Sequence, residues 1–264
     1  VRTTILITSD EFIAPGLELF DLGPIFPGGP AWLTKPVLIA MLSAIIIIAF
    51  CWAAFAKPKM VPRGWQSMGE YVYDFVYVQI ARSFLRPKDA ERWMGLLLTI
   101  FLTVLVWNLM GVIPFIQYPV AANVTFPAAL AIIVYLVKVY LAIKHHGLRP
   151  WLKEMLAPAD LPRWAIGFFA PLMFAEVFIN SLFTHFIRVF ANMFAGHVLL
   201  AFFSSLGFWF LFEKLTPLGA GIGVIGVVMT ILMTAFEMFI QFLQAFLFAL
   251  LTSMYLASSL YNEH

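Results

Sequence analysis

Residues 215–262 read LTPLGAGIGVIGVVMTILMTAFEMFIQFLQAFLFALLTSMYLASSLYN and hold a single formal charge, Glu237. A helix on the surface of a water-soluble protein alternates an apolar stripe with a charged face, and this run has no charged face. One membrane crossing takes roughly 20 apolar residues, so the run is twice as long as it needs to be. As one helix of about 40 residues it would extend about 60 Å against about 30 Å of hydrocarbon. It must then tilt steeply or bend sharply. Hydropathy alone leaves a pair of short hairpin helices open as well.

The same pattern repeats upstream. Residues 164–212 carry only Glu176 and Arg188 as formal charges, and residues 93–137, between Arg92 and Lys138, carry none. Pro114 and Pro119 interrupt the latter, which predicts a helical hairpin over 93–143 with spans near 93–113 and 122–143. Residues 36–56, between Lys35 and Lys57, predict a first span. Segment 64–86 places Trp65, Met68, Tyr71, Val72, Phe75 and Val76 at helical spacing and reads as an interfacial amphipathic helix. The expected fold is an all-α integral membrane protein with about five membrane-inserted helices plus that interfacial helix. With no internal repeat or long linker, residues 1–264 read as a single membrane domain.

Composition agrees. The chain of 264 residues is 62% hydrophobic and 11% charged, where a soluble domain is nearer half apolar and a quarter charged. A net charge of +2 is too small for a nucleic-acid footprint. The single cysteine, Cys51, excludes an intrachain disulfide. Residues 1–35 lack the pattern of a cleavable signal peptide, so insertion is expected to use the spans themselves. Basic residues gather in the 57–92 connection and the 144–163 loop. The positive-inside rule puts both in the cytoplasm and the 1–35 tail outside.

Arg188 is the sharpest feature, a permanent charge midway along 164–212. A central arginine costs roughly 2.5–3.5 kcal/mol on insertion scales. Ser181, Thr184, His185, Ala191, Asn192 and Ala195 fall on or near its face at 100° per residue. A small and polar face around a charge suits close approach of another helix; the plain alternative is an arginine that snorkels or pairs structurally. His197 lies about 180° around the helix from Arg188, directed towards the protein interior or held as a core histidine. On the last run, Glu237, Gln241 and Gln244 form a second stripe, continued backwards by Thr234 and Thr230. A glutamate and a histidine on separate intramembrane helices are the materials of a proton relay, or of a structural pair. Glu176, early on the Arg188 helix, fits a structural or a functional role equally.

Other signals carry less. Gly221-Ile222-Gly223-Val224-Ile225-Gly226 matches a dinucleotide fingerprint, but no strand precedes it, and close helix packing explains it better. Asn123-Val124-Thr125 begins a span, which argues against a glycosylation acceptor. His145-His146 lacks companion ligands, so no metal is expected. No serine nucleophile has a convincing base, which counts against an intramembrane hydrolase.

The segment Arg188-Val189-Phe190-Ala191-Asn192-Met193-Phe194-Ala195-Gly196-His197 closely resembles the R-x-F-x-N-M-x-A-G motif of subunit a of F-type ATP synthases. Leu243-Gln244-Ala245-Phe246-Leu247-Phe248-Ala249-Leu250-Leu251-Thr252 resembles that family's L-Q-A-F-x-F-x-x-L-T. Weaker matches are Val61-Pro62 with Gln66 and Glu70, Asn108-Leu109-Met110 with Pro114, and Asn123-Val124-Thr125. Ala191 stands where the family usually has glycine, and Ser181-Leu182 where Lys-Pro is common.

The resemblance implies a stator subunit that passes protons between two half-channels and a rotating ring of c subunits. In that reading Arg188 faces the ring carboxylate. Glu237, His197, Asn192 and Gln244 serve the outer half-channel and Glu176 the inner, and Gln241 of the same stripe is a further candidate for proton translocation. It further implies that the last two helices, within 164–262, lie strongly tilted along the ring. The partners implied are the c-ring, peripheral-stalk b subunits, the other synthase subunits and the lipid bilayer. No cofactor and no catalysis of its own are expected. The location implied is a bacterial plasma membrane, or alternatively a mitochondrial inner membrane. Competing readings are a proton-coupled secondary transporter, which would show a substrate cavity and repeat symmetry, and a non-conducting scaffold.

Overall fold

The computed structural model describes residues 33–56, 58–113, 116–148, 150, 171–175, 181–213 and 216–261. Glu176 and most of the 1–35 tail lie outside the described residues. The described helices are α1 (Lys35–Phe55), α2 (Trp65–Val76), a π-helical turn (Tyr77–Ala81), α3 (Arg82–Phe84) and α4 (Pro87–Leu109). A 3-10 turn (Val120–Ala122) leads to α5 (Thr125–His146). After it come α6 (Ser181–Phe208), prolonged by a π-helical turn (Trp209–Glu213), and α7 (Pro217–Leu260). The fold is all-α, and α1, α4, α5, α6 with its π turn, and α7 are long and apolar enough to cross a membrane.

Local chemistry sets the helix starts. Prolines open α1, α4 and α7, where a missing N–H costs nothing and the ring's fixed φ suits the helix. Thr216 caps α7 by accepting from the Gly219 amide at 3.0 Å. The Asn123 side-chain oxygen accepts from the Thr125 amide at 3.2 Å, ordering the entrance to α5. Gln66 ties the loop before α2 through both Lys59 backbone groups and donates to Glu70 at 2.8 Å. The last apolar run is one continuous helix of 44 residues, not a hairpin. At about 66 Å it far exceeds the hydrocarbon thickness.

The core lies between α2, α4, α5, α6 and α7, around Ile80, Leu97, Ile100, Phe101, Met193 and Leu256. Phe75 meets Phe101, Phe242 and Phe246 at ring separations of 5.8, 5.6 and 5.9 Å, so one side chain joins α2 to α4 and α7. The apolar stripe of α2 is divided. Val72, Phe75 and Val76 pack on the core, whereas Trp65, Met68 and Tyr71 are exposed. A stripe wider than one contact face serves protein and surroundings at once. On α1, Met41, Ile45, Ile48 and Trp52 are likewise exposed, as suits a face against lipid.

α6 and α7 run antiparallel along a continuous seam. Tyr255 reaches the Ser181 carbonyl at 3.5 Å, and His185 sits 3.9 Å from the Phe248 ring centroid. Gly196 lies against Glu237, Gly207 against Gly226, and Leu211 against Gly223. The glycine cluster is thus a packing device. A Cβ on Gly226 would come within 2.7 Å of the Gly207 backbone, and one on Gly223 within 2.6 Å of Leu211, while one on Gly221 would meet nothing within 4 Å.

A basic end of the bundle collects Arg82, Arg86, Lys88 and Arg92 around the start of α4, and Lys144 at the end of α5. There Tyr261 donates to Asp89 at 2.5 Å and accepts from the Arg86 amide at 2.9 Å, with the Arg86 guanidinium 4.5 Å over its ring. His146 meets the Ser259 carbonyl at 3.0 Å, so the end of α7 is fastened to both α4 and α5.

Two tests follow from this packing. Gly226→Leu forces the seam apart and should cost about 1–3 kcal/mol as an overpacked site, while Gly221→Leu should cost almost nothing; equal thermal stability of the two purified variants would refute the seam. Burial, and then the Asp89 carboxylate, push the Tyr261 phenol above its usual range. The folded state therefore holds that proton more tightly than the unfolded chain. The latch's stabilisation is complete below about pH 10 and is lost as pH rises through the folded value. Thermal melting across this alkaline window should show a step that Tyr261→Phe removes.

Candidate functional site

The chain meets its polar residues with two opposite solutions. Thr230, Thr234 and Thr252 each donate to the carbonyl four residues back at 2.8–2.9 Å, so these hydroxyls are satisfied within α7 itself. The acid and amides of the same helix are not. Glu237 is 4% exposed, Gln241 0% and Gln244 4%. The Gln241 side chain lies against the Glu237 carboxyl. Both Glu237 oxygens, both Gln241 amide atoms and the Gln244 oxygen nonetheless lack well-formed hydrogen bonds to the described residues. Groups in that condition are rare in native cores and signal water or a functional ligand.

Asn108 joins them from α4. Its amide reaches the Gln241 backbone carbonyl at 3.5 Å, and its own oxygen has no partner among the described residues. In the sequence Asn108 stood out only through a motif match. The physical signal was available: an amide with no exposure inside an otherwise apolar span.

Across the seam, α6 presents Gly196 to the Glu237 carboxyl, and the next residue is His197. His197 is half-buried, donates to the Gln117 backbone carbonyl and feels the charge of Lys35. Gln117 holds φ at 42°, a left-handed conformation uncommon for a residue with a side chain. Lys35 in turn stands 5.9 Å over the Tyr118 ring, and burial pushes that phenol above its usual range. Nothing in the sequence marked Lys35 and Gln117 as neighbours of His197, because the start of α1 and the connection between α4 and α5 bring them there.

Arg188 is half-buried on the outer side of α6, amid exposed Thr184, Ala191, Asn192 and Ala195. The register of the seam sets Arg188 level with Gln244 and Ala245, and Asn192 level with Gln241. The structure thus assembles Glu237, Gln241, Gln244 and Asn108 behind the helix pair, with His197 adjoining, and leaves Arg188 and Asn192 on its open face. His185 departs from expectation. It turns inward between Phe248 and Tyr255 and is 3% exposed, because its 60° offset from Arg188 puts it on the same inner row as Val189 and Met193.

The family model for the ATP synthase A chain matches residues 37–257. The chain is similar to a protein named ATP synthase subunit a from Streptomyces lividans, with 38% identity covering 96% of this chain and 89% of that one. Proteins of the same name from Rhodococcus erythropolis and Frankia alni are 34% and 35% identical, each over 98% of this chain and 94% and 90% of their own.

Because the Gln241 side chain makes no well-formed hydrogen bond, Gln241→Leu should leave thermal stability unchanged or raise it by up to about 1 kcal/mol. A loss above about 2 kcal/mol in the purified chain would show instead that the amide is a structural tie.

Proposed function

This chain belongs to the ATP synthase A chain family, and on that premise we propose that it carries protons across the membrane sector to a rotating c-ring carboxylate through two half-channels. The observation that supports this most is the division around Arg188. A fixed cation stands on an open, small-residue face, while a buried acid and three buried amides without full hydrogen bonding lie behind it. An open face of small residues lets another helix approach closely. Buried polar atoms lacking partners among the described residues accommodate water along a path.

Protons arrive from the end opposite the basic one, past His197 and Glu237. They continue by way of Gln241, Gln244 and Asn192 to the ring acid. A carboxyl that takes up a proton becomes neutral and can rotate through lipid, where its charged form could not. When the acid returns to Arg188, the guanidinium favours its ionised form and the proton leaves. The same charge bars a proton from crossing directly between the two paths. Release runs to the basic end, with Glu176 as the assigned inner carboxylate. The subunit performs no ATP chemistry; its partners are the c-ring, the peripheral-stalk b subunits and the remaining synthase subunits. The positive-inside rule places the basic end in the cytoplasm, and relatives from bacteria favour the bacterial plasma membrane. The whole chain acts as one membrane domain.

Arg188→Ala should abolish coupled ATP synthesis, a loss of at least about a hundredfold, with the complex still assembled. Arg188→Lys should fail largely too, since an ammonium lacks the planar fork and can lose its proton. Synthesis at the wild-type rate in membranes of Arg188→Ala would end this reading.

A further inference from the structure

Along the seam, the Glu237 group lies on one side of Arg188 and a second buried polar set lies on the other. Its centre is His185, one helical turn from Arg188 towards the basic end. Neither ring nitrogen has a hydrogen-bond partner among the described residues, although the side chain is only 3% exposed. Packing does not account for an imidazole there, because an apolar side chain would fill the space between Phe248 and Tyr255 without burying unpaired polar atoms. The ring lines a crevice between α5, α6 and α7 together with Tyr135, Ser181 and Tyr255. Lys138 stands beside this crevice, its ammonium 4.5 Å over the Tyr255 ring and 5.7 Å from that of Tyr135. The charges that bear on His185 are Arg188 on its own helix and Lys138 on α5; the phenols facing it are Tyr135 of α5 and Tyr255 of α7.

We propose that His185 receives the proton released at Arg188 and passes it on towards the basic end, beside Ser181 and Tyr255. This rests on the proton-path reading above and names a carrier on its release side. The ring acid's O–H bond breaks as water beside Arg188 takes the proton. That water hands a proton inward to a ring nitrogen of His185, which lies off the open face. The opposite nitrogen then gives up its hydrogen towards the Ser181 and Tyr255 side of the crevice, to water beyond it, and the imidazole is neutral again. Two flanking cations make a third positive charge short-lived there, so the ring relays protons and does not store them. Lys138, held by its aromatic neighbours, is a positioning residue that sets how readily the relay accepts.

The test uses the assembled complex in vesicles, with passive proton flux measured while pH is varied separately on each side. His185→Phe keeps a ring of similar shape; it should cut flux roughly tenfold or more and remove the response to pH on the basic side, sparing the response on the other. Lys138→Met, with the imidazole intact, should move the basic-side response up by about one pH unit. Flux and pH response unchanged in His185→Phe would overturn the assignment. If that variant does not assemble, an unchanged response in Lys138→Met overturns it instead. Arg188→Ala and Glu237→Gln separate the two readings. Should they retain wild-type flux, the proton path itself falls; should they lose it while both other variants behave as wild type, only the role of His185 falls.

Discussion

The close approach of α6 and α7 fixes everything that follows. Gly207 and Gly226 bring two backbones together with no side chain between them, and the antiparallel register is then set along the seam. That register lays the Glu237 carboxyl on Gly196, puts Arg188 level with Gln244, and directs His185 to Phe248. Each of those relations joins residues far apart in sequence, and none would survive a slip by one residue. α4 and α5 close the inner side of the pair, where Asn108 and Lys138 are contributed. α1 and α2 complete the bundle without touching the chemistry, apart from Lys35 at its rim.

A second principle divides the polar residues of α7. A hydroxyl on a short side chain can return to the carbonyl one turn back, so threonines enter an apolar helix at little cost. A carboxyl or an amide on a longer side chain cannot do so in the same geometry and projects to a neighbouring helix. Threonine is therefore compatible with lipid depth anywhere along the helix. Glutamate and glutamine at the same depth signify a partner or water. The amphipathic stripe from Thr230 to Gln244 is continuous as a pattern and discontinuous as physics.

Much of the fold was legible because charge is so scarce. Gaps between charged residues marked the apolar helices, and Pro114 and Pro119 marked the break between two of them. The start of α4 at Pro87, six residues before the charge gap, was not marked, because its first turns carry charges at the membrane edge. Hydropathy could not decide between one long helix and a hairpin over 217–260, since both bury the same apolar surface; the absence of a break after Pro217, together with the glycine seam, decides for one helix. In the site, the Glu237–Gln241–Gln244 stripe was legible because helical periodicity alone lines it up. The placement of His185 was not, because a 60° offset leaves a residue at the edge of a face, and only the neighbouring helix determines on which side it falls. Gln117 and Lys35 were illegible for a different reason. They belong to segment ends, and which ends meet is a property of the tertiary arrangement.

The backbone of Gln117, beside His197, bears on hydrogen placement. A carbonyl oxygen can only accept, so the nitrogen of His197 that faces Gln117 must be the one bearing hydrogen. In the neutral ring the remaining nitrogen is then the basic one, and the imidazole is restricted to a single tautomer with a defined direction. A backbone carbonyl in a connecting turn thus gives polarity to a side chain on a helix. Chemistry at His197 has a front and a back before any proton arrives.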